Sequence, residues 1–186
     1  MAILTLDALR TLYAPARKRS VKKEMTSLDT HCLRFIGLSP FVVIASSRVA
    51  GALEASPRGG AAGFVKALSS GTLLIPDSPG NNRLDTLENI IQIELLFLVL
   101  GVDETLRVNG RATLSTNEAN LNLCVEPKCW PKLAIRMTVE AAYLHCAKAL
   151  MRSALWDPVR HIDRAALPSM GEMLKDQIGG DLSAET

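Results

Sequence analysis

Between Leu73 and Ala112 the sequence sets an apolar strand (Leu73–Ile75), a Pro/Gly/Asn-rich turn (Pro76–Asn82), an arginine and a helix start in succession. A strand that turns through Gly80, Asn81, Asn82 and Arg83 into a helix builds an anion site. Free backbone N–H groups, the positive end of the helix dipole and a guanidinium all point the same way. Asn82 is placed to cap the helix, and Asp85, three residues on, complements its first turn. Capping accounts for the asparagines but not for Arg83, a cation at the unfavourable end of the dipole. An anionic ligand resolves that conflict, and phosphate is the expected occupant.

Three further groups could do chemistry. In Ser56-Pro57-Arg58-Gly59 the proline is expected to end a strand, leaving Ser56 and Arg58 at its tip; taken alone, this reads as an ordinary turn with a solvent-facing arginine. In Glu104–Ala112 alternation puts Thr105, Arg107 and Asn109 on one face and Leu106 and Val108 on the other. That is either a ligand face or the polar side of an edge strand. In His145–Trp156 the residues His145, Lys148 and Arg152 fall three and four apart, which gives a helix a basic stripe with Trp156 within stacking reach of Arg152. A solvated basic face reads the same way. No Ser/His/Asp set, glycosidase-like carboxylate pair or P-loop emerges, and the chain has three histidines, His31, His145 and His161. An enzyme of this composition would leave the chemistry to a bound cofactor.

The elements that must hold these residues follow from periodicity. Thr5 caps a short helix, Leu6–Tyr13, interrupted by Pro15. A longer helix is expected from Ala16 to Ile36, with Val21, Met25, Leu28, Cys32, Phe35 and Ile36 as its apolar stripe. Phe41–Ala45 and Ala52–Ser56 read as a hairpin turning near Ala50-Gly51, and Phe64–Leu68 and Thr72–Ile75 as a second pair. Leu84–Ile90 is a helix. Ile93–Val99 is a fully buried strand, since its apolar residues run in succession. Thr105–Ser115 is half exposed, Thr116–Pro131 is a surface excursion and Leu133–Leu144 is the last strand. His145–Trp156 is a helix, followed by a tail with a weak helix near Leu167–Lys175. Strands in the middle with helices at both ends predict an α+β fold, a small barrel flanked by helices. No internal repeat or domain boundary is visible, so residues 1–186 form one domain: N-terminal helices (1–37), barrel (41–144), C-terminal helix and tail (145–186).

The chain has 186 residues, enough for one domain with a real core, and a net charge of +2, which argues against a dedicated nucleic-acid binder. The basic run Arg17-Lys18-Arg19 with Lys22-Lys23 reads as a solvated helix face. The longest apolar run, Ile93–Val102, carries Glu94 and is too short to span a bilayer, and Met1–Arg10 has no signal-peptide layout. A cytosolic protein without membrane or nucleic-acid partners is expected, with Cys32, Cys124, Cys129 and Cys146 as reduced thiols. No Cys/His cluster completes a metal site.

Taken in order, Ser-Pro-Arg-Gly (56–59), Leu-Leu-Ile-Pro-Asp (73–77), Gly-Asn-Asn-Arg-Leu-Asp-Thr-Leu (80–87), Glu-Thr-Leu-Arg-Val-Asn-Gly-Arg-Ala (104–112) and Leu-His-Cys-Ala-Lys-Ala-Leu-Met-Arg-Ser-Ala-Leu-Trp (144–156) resemble the pyridoxamine 5′-phosphate oxidase-related FMN-binding proteins. The closer likeness is to their subgroup of FMN-dependent enzymes of unassigned substrate, and it runs from about Ser20 to Gln177. It implies an FMN-binding split β-barrel working as a homodimer, with FMN sites at the subunit interface. By this likeness the FMN contacts fall at Arg58, at Asn82 and Arg83, and at Thr105, with Pro76 and Asp77 flanking the flavin. Asn82 stands where the oxidase has a second cation, a loss that Arg58 or a partner chain's Lys148 or Arg152 would offset. Ser56, Asn81 and Arg107 complete the expected site.

The turn at Ile90–Ile93 is shorter than usual in the family, and the oxidase's C-terminal substrate motif of arginine and histidine is not recognisable. The expected function is an FMN-dependent oxidoreductase acting on an unidentified small substrate. A non-catalytic flavin-binding module for storage or sensing is the alternative, and a pyridoxamine 5′-phosphate oxidase proper the third reading.

Overall fold

The computed structural model describes residues 5–47, 53–78, 84–88, 90–127 and 130–179. Its strands are β1 (Phe41–Ser47), β2 (Leu53–Gly59), β3 (Lys66–Ser69), β4 (Thr72–Pro76), β5 (Gln92–Leu98), β6 (Thr105–Ser115) and β7 (Ala134–His145). They form one sheet in the order β2-β1-β5-β6-β7-β4-β3, antiparallel throughout. Opposed residues of an antiparallel pair share a face, so register carries one apolar face across the sheet. Val42 and Ile44 of β1, Ile93, Leu95 and Phe97 of β5, and Leu106 and Val108 of β6 are buried on it, and Leu73, Ile75 and Met137 join them in the core.

The sequence predicts β5 as buried on both faces. Instead it buries every second residue and leaves Glu94, Leu96 and Leu98 partly exposed on the other side. The unbroken apolar run reflects a second sheet face that is apolar as well as half open.

Arg58 of β2 meets Asp77, just past β4, at 3.1 Å. These strands stand first and sixth in the sheet order. A flat sheet would hold them about 24 Å apart at roughly 4.8 Å per strand. The sheet therefore rolls until its ends meet, which makes the α+β split barrel.

The helices are α1 (Leu6–Thr11), α2 (Lys18–Lys22), α3 (Thr30–Leu38), α4 (Asp85–Glu88), α5 (Glu118–Leu123), α6 (Lys148–Ser153) and α7 (Met170–Ile178). The single helix predicted over Ala16–Ile36 is two, α2 and α3. Met25 between them exchanges backbone hydrogen bonds of 3.0 and 2.8 Å with Ala142 of β7, and Leu28 N–H donates to Ser70 O at 2.7 Å. Those bonds take residues out of the helical ladder. Asp29 then starts α3 afresh, accepting from Cys32 N–H at 2.8 Å. The stripe residues Leu28, Cys32 and Ile36 still reach the core.

The predicted helix His145–Trp156 is likewise shorter. His145 ends β7 opposite Thr105, and α6 stops at Ala154, whose φ is 48°. His145, Lys148 and Arg152 therefore do not share one helix. Trp156 donates from Nε1 to Val102 O at 2.9 Å. Among the described residues, the cations over a ring are Lys23 and Arg107, both at Tyr143. The tail helix α7 opens with a capping box between Ser169 and Glu172. No helix among the described residues is long and apolar enough to cross a membrane.

Candidate functional site

Strand β2 carries Glu54, Ser56 and Arg58 on one face, the face of Ser46, Ile44 and Val42 to which they pair. Pro57 does not end the strand, contrary to expectation. The ladder runs on to Gly59, because β2 lies at the sheet edge, where a residue without an N–H is tolerated on the open side. The polar face of β2 therefore points toward the barrel interior instead of standing at a tip.

Two anchors cross from this face to the chain after β4. Arg58 Nη1 donates to Asp77 Oδ1 at 3.1 Å, and both side chains are about a fifth exposed (20% and 23%). Asp77 is itself fixed by its N–H, which donates to Leu133 O at 3.0 Å, next to the buried Pro76. Thr86 Oγ1 in α4 donates to Glu54 Oε1 at 3.0 Å. Asp77 and Thr86 bracket the Pro/Gly/Asn turn, so both ends of that turn are held to one face of β2, with Ser56 between the anchors. Asn81, Asn82 and Arg83, the heart of the expected phosphate cradle, lie outside the described residues, as does the expected Ala50-Gly51 turn. Three atoms on this face, Arg58 Nε, Glu54 Oε2 and Ser46 Oγ, are buried and have no hydrogen-bond partner among the described residues. Such orphans mark a place built for something further.

The other sheet face holds a second cluster. Thr105, Arg107 and Asn109 alternate along β6 as predicted, with Thr105 buried opposite His145. Arg107 forms an ion pair with Glu94 of β5 and lies 5.5 Å over the ring of Tyr143. The hydrogen bond it donates to Glu94 is the main reason the guanidinium holds its proton more tightly than usual. Arg107 Nε and Asn109 Oδ1 are buried without partners among the described residues.

Beside Asn109 the β6–β7 register slips, leaving Glu140 unmatched between the pairs Asn109–Ala141 and Gly110–Val139. Gly110 is required there, since a Cβ would come within 2.0 Å of Thr138 O. Bulges of this kind re-aim side chains. Here Glu94, Asn109, Gln92, Ser47 and Glu140 line an open cleft of about 330 Å³.

The expected site residues thus fall into separate groups. Ser56, Arg58, Pro76 and Asp77 come together at the β2 face. Thr105 and Arg107 lie on the opposite face of the sheet. Lys148 lines a separate cavity with Arg17, Arg19, Ser20 and Cys146, and Arg152 turns back on its own helix, its Nε donating to Lys148 O at 3.1 Å. Glu54, Thr86 and Tyr143 went unnamed as site residues, and so did Glu94. The last had a visible signal, a carboxylate inside an apolar run. The others had none, because their partners are distant in sequence.

No curated protein matches the chain in sequence. Among solved structures, the HupZ protein of Group A Streptococcus superposes with a TM-score of 0.52 at 16% identity, over 63% of this chain and 93% of that one. A candidate pyridoxamine 5′-phosphate oxidase of Lactobacillus delbrueckii gives 0.50 at 14% identity, over 64% of this chain and 95% of that one. At such identities the likeness is one of fold. The sequence itself carries the assignment: residues 28–146 match the pyridoxamine 5′-phosphate oxidase family model, which takes in the clamped turn and both sheet faces. The chain belongs to the pyridoxamine 5′-phosphate oxidase family.

Proposed function

We propose that the protein is a flavoprotein that binds FMN and works as an oxidoreductase on a small substrate. The observation that carries this reading is the turn after β4, held at both ends by Arg58–Asp77 and Glu54–Thr86. A turn of that composition, with the residues flanking it anchored to the face of Ser56 and Arg58, suits the phosphate monoester of FMN. Asp77 balances much of the charge of Arg58 but leaves its buried Nε–H without an acceptor among the described residues. In this reading Arg83 supplies the remaining positive charge and Arg58 a directed hydrogen bond. FMN, when bound, takes up and passes on a hydride or single electrons.

On the other face, Arg107 Nε and Asn109 Oδ1 offer an unused donor and an unused acceptor for the polar edge of the ring system. From β2 to β6 is three strand spacings, about 14 Å, with the sheet between the two faces. One flavin meets both groups only if a second copy presents its β6 face to the first copy's β2 end. We therefore propose a homodimer with the flavin between the copies.

FMN and riboflavin separate the phosphate contact from the ring contacts. Quenching of flavin fluorescence should give tight binding of about one FMN per chain and markedly weaker binding of riboflavin. Equal affinity for the two would contradict a phosphate site.

A further inference from the structure

Between Thr5 and Lys23 the chain carries Arg10, Arg17, Lys18, Arg19, Lys22 and Lys23 against one carboxylate, Asp7. The segment is therefore strongly positive, while the chain as a whole is only +2, so the remainder is net negative. The charge is also held in place. Two backbone hydrogen bonds join Met25 to Ala142, and Lys23 Nζ donates to Leu144 O at 2.6 Å. These contacts clip the end of α2 to the end of β7. Among the described residues, Arg10, Arg17, Lys18, Arg19 and Lys22 form no ion pair.

The apolar residues of the same segment are as exposed as its cations. No residue of α1 is buried. Leu6, Leu9 and Leu12 recur three apart, on the side of the helix opposite Asp7 and Thr11. Leu6, Leu12 and Tyr13 are 79%, 63% and 71% exposed. A solvated basic face accounts for the cations but not for these residues. A helix of six residues is marginal on its own in water, so its apolar side needs a cover. The described residues do not supply one. A second copy is a poor candidate, because a two-fold contact would set this patch against itself, cation on cation. Leucines and a tyrosine on one side with arginines and lysines beside them suit an anionic lipid surface, where headgroups take the charges and the acyl boundary takes the apolar side chains.

We propose that α1 and α2 form a docking face for an anionic membrane surface. Leu6, Leu9, Leu12 and Tyr13 enter the interface, and Arg17, Lys18, Arg19 and Lys22 lie against the headgroups. A six-residue helix is far too short to span a bilayer, so the attachment is to its surface. This docking does not rest on the flavin reading.

Flotation of the whole protein with lipid vesicles tests it. The protein should float with vesicles of equal parts phosphatidylglycerol and phosphatidylcholine, stay behind with phosphatidylcholine alone, and be released from the anionic vesicles by high salt. Each cation at such a surface contributes about fivefold to partitioning. The triple variant Arg17→Gln, Lys18→Gln, Arg19→Gln should therefore bind at least about tenfold more weakly. The charge-matched variant Lys132→Gln, Arg136→Gln, Lys175→Gln, which removes three exposed cations elsewhere, should bind as the parent does. Leu6→Ser with Leu9→Ser, at two exposed positions, should also bind about tenfold more weakly. Equal flotation with neutral vesicles, equal loss in the two triple variants, or full binding by the leucine variant would overturn the docking face. No flotation on anionic vesicles would overturn it as well, and a gel shift of duplex DNA in that case would assign the segment to nucleic acid.

Discussion

Arg58 and Arg107 are built alike: each gives one nitrogen to a carboxylate and keeps a buried Nε–H with no acceptor among the described residues. The carboxylate holds the guanidinium in place, and the free N–H is what a ligand can use. In the proposed reading Arg83 supplies net charge, so Arg83→Ala should cost on the order of 1.5–3 kcal/mol of FMN affinity, read by titration calorimetry. Unchanged affinity would place the phosphate elsewhere. Gly110 answers to backbone instead of ligand. In Gly110→Ala the new Cβ meets Thr138 O at 2.0 Å, so β6 and β7 must part, and urea unfolding should show a loss of about 1–3 kcal/mol. Arg58, Asp77 and Arg107 were legible as residues, because a charged or turn-forming type at a strand position stands out. How they pair was not legible, since Arg58–Asp77 depends on how far the sheet rolls and Arg107–Glu94 on the β5–β6 register.

At the scale of elements, periodicity found nearly every strand and erred where tertiary hydrogen bonds took over. The stripe Val21–Ile36 has helical spacing, yet Met25 pairs with Ala142 and breaks it. His145 has helical spacing to Lys148 and Arg152, yet it completes β7 against Thr105. Local pattern cannot register a partner that lies forty or more than a hundred residues away, as Thr105 and Ala142 do here.

The restart at α3 also makes stability depend on pH. Burial, with the Asp29 carboxylate next in effect, pushes the Cys32 thiol up from 9.0 to about 11. The raised value means that folding favours the neutral thiol. Its contribution is complete below pH 9 and is lost as pH rises from there through 11. Cys32→Ala should flatten that part of the stability curve relative to the parent, even though the cavity it leaves lowers stability at every pH. Asp29 works in the opposite direction. The Cys32 N–H holds its carboxyl below the usual value, so its contribution is present at neutral pH and fades as the solution is acidified. Measured denaturant midpoints across pH check both signs.

At the scale of the whole molecule, the rolled sheet divides the candidate site between its two faces, and that division motivates the proposed dimer. Sedimentation should show two chains per particle with about one FMN per chain. Tm should rise with FMN, by an amount that corresponds to about 2.7 kcal/mol when free FMN is a hundredfold above its Kd. A flavin-loaded monomer would contradict the shared site. The α+β barrel was legible because alternation and turn residues recur across Phe41–Leu144. The division of the site was not, because it depends on which way β2 faces.

The visible absorption spectrum tests the central claim most directly. Protein mixed with FMN and then desalted should stay yellow, with the absorption bands of bound oxidised flavin, and should bleach when a reductant such as NAD(P)H is supplied. Retained colour without bleaching by any nicotinamide donor would favour a flavin carrier over an oxidoreductase. A colourless protein after desalting would contradict the account.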